Sequence, residues 1–341
     1  MGGDHGPSVV IPALSIAARR MGPSVRFLVH GDEAKIAPEL ARCPALKSIV
    51  EVRHTEKAVA MDEKPAQAMR RGKGSSVWNA VECVKSGEAV AAVSAGNTGA
   101  LMAISMLILR LAAEVNRPAL TASWPTAGGI TTVLDVGANV SADAEQLVEF
   151  AIMGAAFHHA LHGGGRPTVG LLNVGSEEQK GHEEVREAHA LLRATDFEFD
   201  YHGFVEGDDI AKGTVNVVVT DGFTGNILLK TAEGVVRFIA SELRGALKSS
   251  PLNMMGALLA TGGLKSLRIK LDPGAVNGAP LLGLNGIVIK SHGSADAASY
   301  AAAVVVAAEL ARSDFAAEID RSIKRLSAAL AQPAATMESG N

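Results

Sequence analysis

Aromatic side chains are scarce in this chain: phenylalanine, tyrosine and tryptophan make up only 4% of its 341 residues. That argues against a polymer-binding groove lined with rings. Cysteine is scarcer still. Cys43 and Cys83 form no CxxC pair, so no disulfide framework is expected. No sign of charge dominates either. A formal net charge of −4 provides no basic field to recruit nucleic acid or a membrane. The longest apolar stretch, around Leu101–Leu109, is far below the roughly 18 residues of a spanning helix. Met1-Gly-Gly-Asp-His-Gly-Pro7 has no basic region leading into an apolar one, so no secretory signal is expected. The expectation is a soluble, cytoplasmic protein.

Chemical signatures are missing too. HExxH, Cys/His clusters, the GxSxG elbow, GxGxxG and GxxxxGK(S/T) are all absent. The sequence therefore predicts no metal, no cofactor, no covalent nucleophile and no dinucleotide or Walker-type site. His158 and His159 are neighbours, which point different ways on a helix and chelate poorly. His189, seven residues after His182, reads as a solvent-facing helical position.

What the chain does have is 36 glycines in a 48% hydrophobic background. This suits close packing of helices on sheet, with a large core to bury. Four apolar, strand-like runs each end in a polar glycine turn and pass into a helix-like run. Val90–Ser94 leads into Ala-Gly-Asn-Thr-Gly (95–99), and Thr131–Leu134 into Asp-Val-Gly-Ala-Asn (135–139). Thr168–Leu172 leads into Asn173–Gly181, and Val215–Thr220 into Asp-Gly-Phe-Thr-Gly-Asn (221–226). In an open parallel sheet, ligands bind outside the carboxyl ends of the strands. Helix N-termini there direct free N–H groups at whatever binds. Four such turns predict one composite anion site, with candidate ligands Gly96, Asn97, Thr98, Asp135, Gly137, Asn139, Asn173 and Asp221.

Strands and helices alternate along the chain. Further strands are expected at Val25–His30, Ile49–Val52 and Ile287–Lys290. Helices are expected at Ser75–Ser86 (Ser75 as N-cap) and Asn97–Ala112, then from an Asp143/Gln146 capping box to about Leu161. More follow at Gly181–Ala194, Asn226–Leu247, Ala295–Arg312 and Phe315–Leu330. The pattern predicts an α/β fold: a mostly parallel sheet with helices on both faces. No linker divides the chain. Residues 1–331 are expected to form one catalytic domain, with 332–341 a disordered tail.

Two polar residues stand out. Lys180, in a turn with Glu177 and Glu178, is either a solvated surface charge or a cation that holds phosphate. Asn226 is either a helix N-cap or an amide donor to a developing oxyanion. Segment 248–272 is a further oddity. Leu252, Met255, Leu258 and Leu259 lie near Lys265, Arg268 and Lys270. An apolar stripe with a basic end fits a protruding dimer seam or a contact with anionic lipid.

Several motifs together strongly resemble one family. They are Met1-Gly-Gly-Asp-His-Gly-Pro7, Ser94-Ala-Gly-Asn-Thr-Gly-Ala-Leu-Met-Ala103, Leu134-Asp-Val-Gly-Ala-Asn139 and Gly170-Leu-Leu-Asn-Val-Gly-Ser-Glu-Glu-Gln-Lys-Gly181. Asp221–Asn226, Gly278-Ala-Pro-Leu-Leu-Gly283 and Lys290-Ser-His-Gly-Ser294 complete the set. In order and spacing, nearly to residue 312, they resemble the bacterial phosphate acyltransferases of phospholipid synthesis. The resemblance implies a Rossmann-like fold akin to phosphotransacetylases and isopropylmalate dehydrogenases. It implies a homodimer loosely held at the membrane, with acyl carrier protein and inorganic phosphate as substrates. An acyl phosphate would pass to a downstream membrane acyltransferase. The family's proposed catalytic lysine and asparagine fall on Lys180 and Asn226, and His292 joins the substrate-binding candidates. Family members usually carry a short strand ahead of Met-Gly-Gly-Asp, on which this chain opens.

The chemistry fits the residues at hand. Phosphate is largely dianionic near neutrality, and a thiol of pKa about 8.5 leaves readily as thiolate. Positioning and oxyanion stabilisation are then the main requirements. A short-chain acyl-coenzyme A transferase, a dehydrogenase of related fold and a non-catalytic membrane-docked scaffold are the competing expectations.

Overall fold

Short β-branched runs supply the strands, and the turns between them set where each one stops. The computed structural model describes residues 2–22, 24–112, 114–270 and 277–330, including side chains except at 266–270 and 329. The expected tail at 332–341 lies outside the described residues. β1 (Phe27–Gly31) and β2 (Val50–His54) pair in parallel as a two-stranded sheet. Eight further strands make the central sheet. They are β3 (Ala91–Ser94), β4 (Ala119–Thr126), β5 (Gly129–Leu134), β6 (Thr168–Leu172), β7 (Asp200–Val205), β8 (Val217–Val219), β9 (Ala279–Leu282) and β10 (Ile287–Lys290). Their order is β3-β10-β9-β4-β5-β8-β6-β7.

Parallel pairing predominates, as expected: β3 with β10, β5 with β8, β8 with β6, and β6 with β7. The middle of the sheet is antiparallel, through β10–β9, β9–β4 and β4–β5. This reversal corrects the picture of four turns at one sheet edge. β5, β8 and β6 send their turns out at one edge, whereas β3 and β10 leave in the opposite direction. Register softens the difference. The pairs Leu134↔Thr121, Leu120↔Leu281, Ala279↔Lys290 and Lys290↔Ser94 bring the ends of β5 and β3 to nearly the same level.

Helices cover both faces. On one, α6 (Ala144–His162) buries every residue from Leu147 to His158, packed with Leu134, Val169, Leu171 and Val217. Gly154 permits that approach, since a Cβ there would meet Leu134 Cδ2 at 2.6 Å. Asp143 and Gln146 form the predicted capping box. On the other face, α4 (Ser76–Ser86), capped by Ser75, and α5 (Thr98–Leu109) pack on Ala92, Val133, Val218 and Val288. α1 (Pro7–Met21), which the sequence did not signal, packs with α12 (Ala297–Arg312) in a third cluster with β1 and β2. His189, on α7 (Glu183–Ala194), is not solvent-facing. It stacks on Phe204 at 4.4 Å and its Nδ1 lies 2.7 Å from Tyr201 Oη, because α7 turns that side toward β7.

The largest revision concerns α9 (Gly222–Lys248), which starts four residues before Asn226. Its N-cap is Asp221, whose side chain accepts the Thr224 N–H at 2.9 Å. Gly222 and Gly225 are thus helical residues rather than turn residues. Their missing side chains let α9 touch the β5 turn: a Cβ would meet Asn139 O at 2.3 Å from Gly222, or Asp135 O at 1.9 Å from Gly225.

Candidate active site

The β5 turn is built around a buried carboxylate. Asp135, fully inaccessible, accepts N–H groups from Leu120, Gly137 and Ala138 on Oδ1 at 2.9–3.1 Å. Its Oδ2 accepts the Asn139 backbone N–H at 2.7 Å and the Asn139 side-chain amide at 2.9 Å. Burial pushes the carboxyl above the usual range, against the pull of four backbone N–H groups. Asp135 and Asn139 thereby shape the turn from within, and Asn139 also ties it to Pro118 O at 2.8 Å. Gly137, at φ +136°, presents its backbone outward beneath Asn226.

Asn226 is exposed on α9, directly over Gly137, and among the described residues its amide has no hydrogen-bond partner. With Asp221 as the cap, the N-cap reading of Asn226 falls away. Lys230 follows one turn later on the same helix face. It pairs with Glu233 at 3.0 Å.

At the level of the β3 and β10 ends, a second group of candidates gathers. Asn97 caps α5 by accepting the Ala100 N–H, and its amide donates to the carbonyls of Ala60, Met61 and Glu63. Gly96 donates to Ser94 Oγ at 3.1 Å and packs on Gly2, where a Cβ would lie 3.2 Å from Gly96 Cα. Asp4 N–H bonds Gly293 O at 2.9 Å, drawing the N-terminal motif onto the β10 turn. His292 Nδ1 accepts the Ser294 N–H at 3.3 Å, which leaves Nε2 as the protonated nitrogen. Burial first, then Lys230 and Lys290, lower its pKa, against Glu233 and Asp4. Thr98 opens α5, half-buried beside Asn97.

The β6 turn closes on itself. Asn173 Nδ2 donates to Lys180 O at 3.1 Å, and Gly181, at φ +91°, leaves room for that amide. Lys180 Nζ lies 2.8 Å from Glu177 Oε1, both half-exposed, and this partner raises the lysine pKa. The side chain lies over Gly175 of its own loop. No hydrogen bond or ion pair joins Lys180 to Asn226 among the described residues. The structure therefore brings Asn226, Gly137, Asn139, Asp135 and Asp221 together, places Asn173 and Lys180 in a separate loop along the same edge, and groups Gly96, Asn97 and His292 around β3 and β10.

One residue of a sequence motif was given no role from the sequence. Lys290 is 8% exposed at the end of β10, and its Nζ donates to Ser291 O. Burial, reinforced by Lys230 and opposed by Asp4, lowers its pKa to about 8. The available signal was a lysine ending an otherwise apolar strand in Ile-Val-Ile-Lys.

The protruding segment forms α10 (Pro251–Leu259) and α11 (Thr261–Lys270). Leu252, Met255, Leu258 and Leu259 are 57–85% exposed. Lys265 is exposed as well, while the Arg268 side chain lies outside the described residues. The apolar surface also runs back along α9 through Leu243, Ile239, Phe238, Val235, Ile227 and Phe223, a continuation the sequence reading missed. No described helix is long and apolar enough to cross a membrane.

Solved structures share this architecture. EutD phosphotransacetylase from Staphylococcus aureus aligns with TM-score 0.57 at 18% identity, over 87% of this chain and 90% of that one. A branched-chain phosphotransacylase from Enterococcus faecalis V583 aligns with TM-score 0.57 at 15% identity, over 91% and 97%. The chain is thus an α/β protein of the phosphotransacetylase fold, with Asn226 mounted over a glycine turn. Residues 1–318 match the family described as fatty acid synthesis protein. The phosphate acyltransferase of Caulobacter vibrioides is 68% identical over 341 residues, covering 100% of this chain and 93% of that protein. That of Phenylobacterium zucineum is 60% identical over 340 residues, covering 100% and 96%. The chain belongs to this family, and it is an acyltransferase.

Proposed function

We propose that this chain transfers a fatty acyl group from acyl carrier protein to inorganic phosphate, releasing an acyl phosphate for glycerophospholipid synthesis. The observation that carries the proposal is the unpartnered Asn226 amide held over Gly137 at the mouth of the β5 turn. A phosphate oxygen attacks the thioester carbonyl carbon, and the C–O bond forms as the carbonyl π electrons move to oxygen. The tetrahedral oxyanion collapses, the C–S bond breaks, and sulfur leaves with the electron pair as thiolate. Asn226 donates to the oxyanion, an interaction that strengthens as charge develops. Lys180, once it exchanges Glu177 for an incoming anion, supplies a point charge to phosphate. Asp135, Asn139 and Asp221 hold the backbone in place, a positioning contribution.

The exposed apolar surface of α9 and α10 supports a homodimer and weak peripheral contact with the membrane. Release at the bilayer suits a labile product with a hydrocarbon tail that passes to a membrane acyltransferase. The decisive assay mixes purified protein, acyl-carrier protein and phosphate and traps acyl phosphate with hydroxylamine. Hydroxamate that depends on phosphate and on the carrier-protein thioester is expected. Turnover of short acyl-coenzyme A alone would move the substrate reading to that donor, and lipid binding without turnover would leave a scaffold.

A further inference from the structure

Lys290 lies where a buried amine has no evident structural purpose. It follows Val288 on the sheet face covered by α5 and α9, since alternate strand residues share a face. Its ammonium meets one backbone carbonyl, that of Ser291, so among the described residues two of its three donors have no hydrogen-bond acceptor. Burying a cation with so few partners is costly unless something else compensates.

The surroundings point to an anion. Lys230 on α9 lies close enough to lower the proton affinity of both Lys290 and His292, and Lys290 adds to that effect on His292. The charged groups facing them are Asp4 from the N-terminal motif and Glu233 from α9, the latter already paired with Lys230 at 3.0 Å. From α12, the Tyr300 hydroxyl is bound to Val93 O at 3.2 Å and stays neutral. Asn277 braces the turn, accepting the His292 N–H at 3.2 Å and donating to Ser291 Oγ at 2.8 Å. The His292 Nε2–H is left to donate. Gly2 and Gly3 pack the N-terminal motif closely against these turns: a Cβ on Gly2 would lie 3.2 Å from Gly96 Cα, and one on Gly3 would lie 3.0 Å from Ala95 Cβ and 3.2 Å from Gly293 O.

We propose that Lys290, with Lys230 and His292, forms the pocket that holds the attacking phosphate, Lys290 acting as a binding residue from beneath. This deepens the phosphate acyltransferase reading and rests on it. α9 is the link: Asn226 and Lys230, one turn apart on a single face, would address the thioester oxygen and the phosphate from the same helix.

The test measures inorganic phosphate binding by isothermal titration, alongside KM for phosphate and for acyl-carrier protein. Lys290→Met is expected to weaken phosphate binding about tenfold or more, the loss of one charge-assisted hydrogen bond, and to leave KM for the acyl donor unchanged. In the native protein KM for phosphate should rise as pH passes about 8, where Lys290 deprotonates; in Lys290→Met that rise should vanish. If Lys290→Met fails to fold, the exposed Lys230→Gln and the charge-retaining Lys290→Arg replace it. Weakened phosphate binding in the former with partial retention in the latter supports the pocket. Unchanged phosphate affinity in a folded Lys290→Met, or in both substitutes, overturns it. Native protein that forms no acyl phosphate sinks the reaction itself, whereas an active enzyme with unaltered phosphate affinity in the variants sinks only the Lys290 assignment.

Discussion

Asn226 rests on Gly137: a Cβ added to that glycine would lie 3.6 Å from both the Cβ and the Oδ1 of Asn226. The contact exists because Gly222 and Gly225 let α9 press against the β5 turn, while Asp221, not Asn226, satisfies the helix terminus. The catalytic role proposed for Asn226 and the capping done by Asp221 thereby fall on two residues, and each can be tested alone.

Asn226→Ala should lower kcat by about 10²-fold, the scale of a lost oxyanion donor, with thermal stability unchanged. Asp221→Ala should show the converse emphasis, losing about 1 kcal/mol as a cap. Steady-state kinetics and thermal unfolding run on both variants check this. Full kcat in Asn226→Ala would remove it from the chemistry.

Lys180→Ala should reduce turnover about 10²-fold, because the proposed role is to hold phosphate charge. Glu177→Gln only frees the lysine from its surface pair and should leave turnover near the native value. Equal losses in the two variants would indicate that the ion pair merely shapes the β6 loop.

The buried Glu149 makes a pH prediction. Its carboxylate accepts the Asn116 backbone N–H at 3.0 Å and side-chain amide at 2.7 Å, yet burial pushes its pKa up to about 7. Because the folded pKa is raised, its contribution to stability is fully present below about pH 4.5 and is lost as pH rises through about 7. His158, lowered by burial to about 4, acts in the opposite sense and removes stability as pH falls from 6.5. Relative to the native protein, Glu149→Gln should therefore make the slope of melting temperature against pH more positive between pH 4.5 and 7, leaving the opposing His158 effect exposed. An unaltered slope would mean that Glu149 keeps its ordinary pKa.

Leu258, 74% exposed on α10, should matter for place rather than chemistry. Leu258→Glu should weaken co-sedimentation with anionic vesicles while phosphate-dependent activity in solution survives. Dissociation of a dimer by the same substitution, seen by light scattering, would make the stripe a subunit seam and end the membrane reading.

Much of the local structure was legible without coordinates. Ser75 and the Asp143/Gln146 box cap their helices as their side chains allow, and β6, β10 and the last helix (Phe315–Leu330) fall at the expected residues. Caps and β-branched runs act over a few residues, so their signals survive in the linear chain. α1 was not among the expected helices; it carries Pro7 at its start, where proline is tolerated, and Pro12 inside.

The candidate site was legible only as a set of turns. Composition and short-range pattern determined that this would be an α/β sheet covered by helices, with polar glycine turns at strand ends and an apolar protrusion. Strand order was decided by tertiary structure alone. Pairing β9 between β4 and β10 reversed the middle of the sheet and sent the β3 turn away from the other three. Nothing local encodes the β4–β9 pairing, because Thr121 and Pro280 stand 159 residues apart and meet only when both faces find cover. The same holds for Lys290. In the sequence it ends an apolar run and opens the Lys290–Ser294 motif, with nothing to show that it is buried. Only folding buries it beside Lys230, His292 and Asp4, since those charges come from the N-terminus, a distant helix and a late turn.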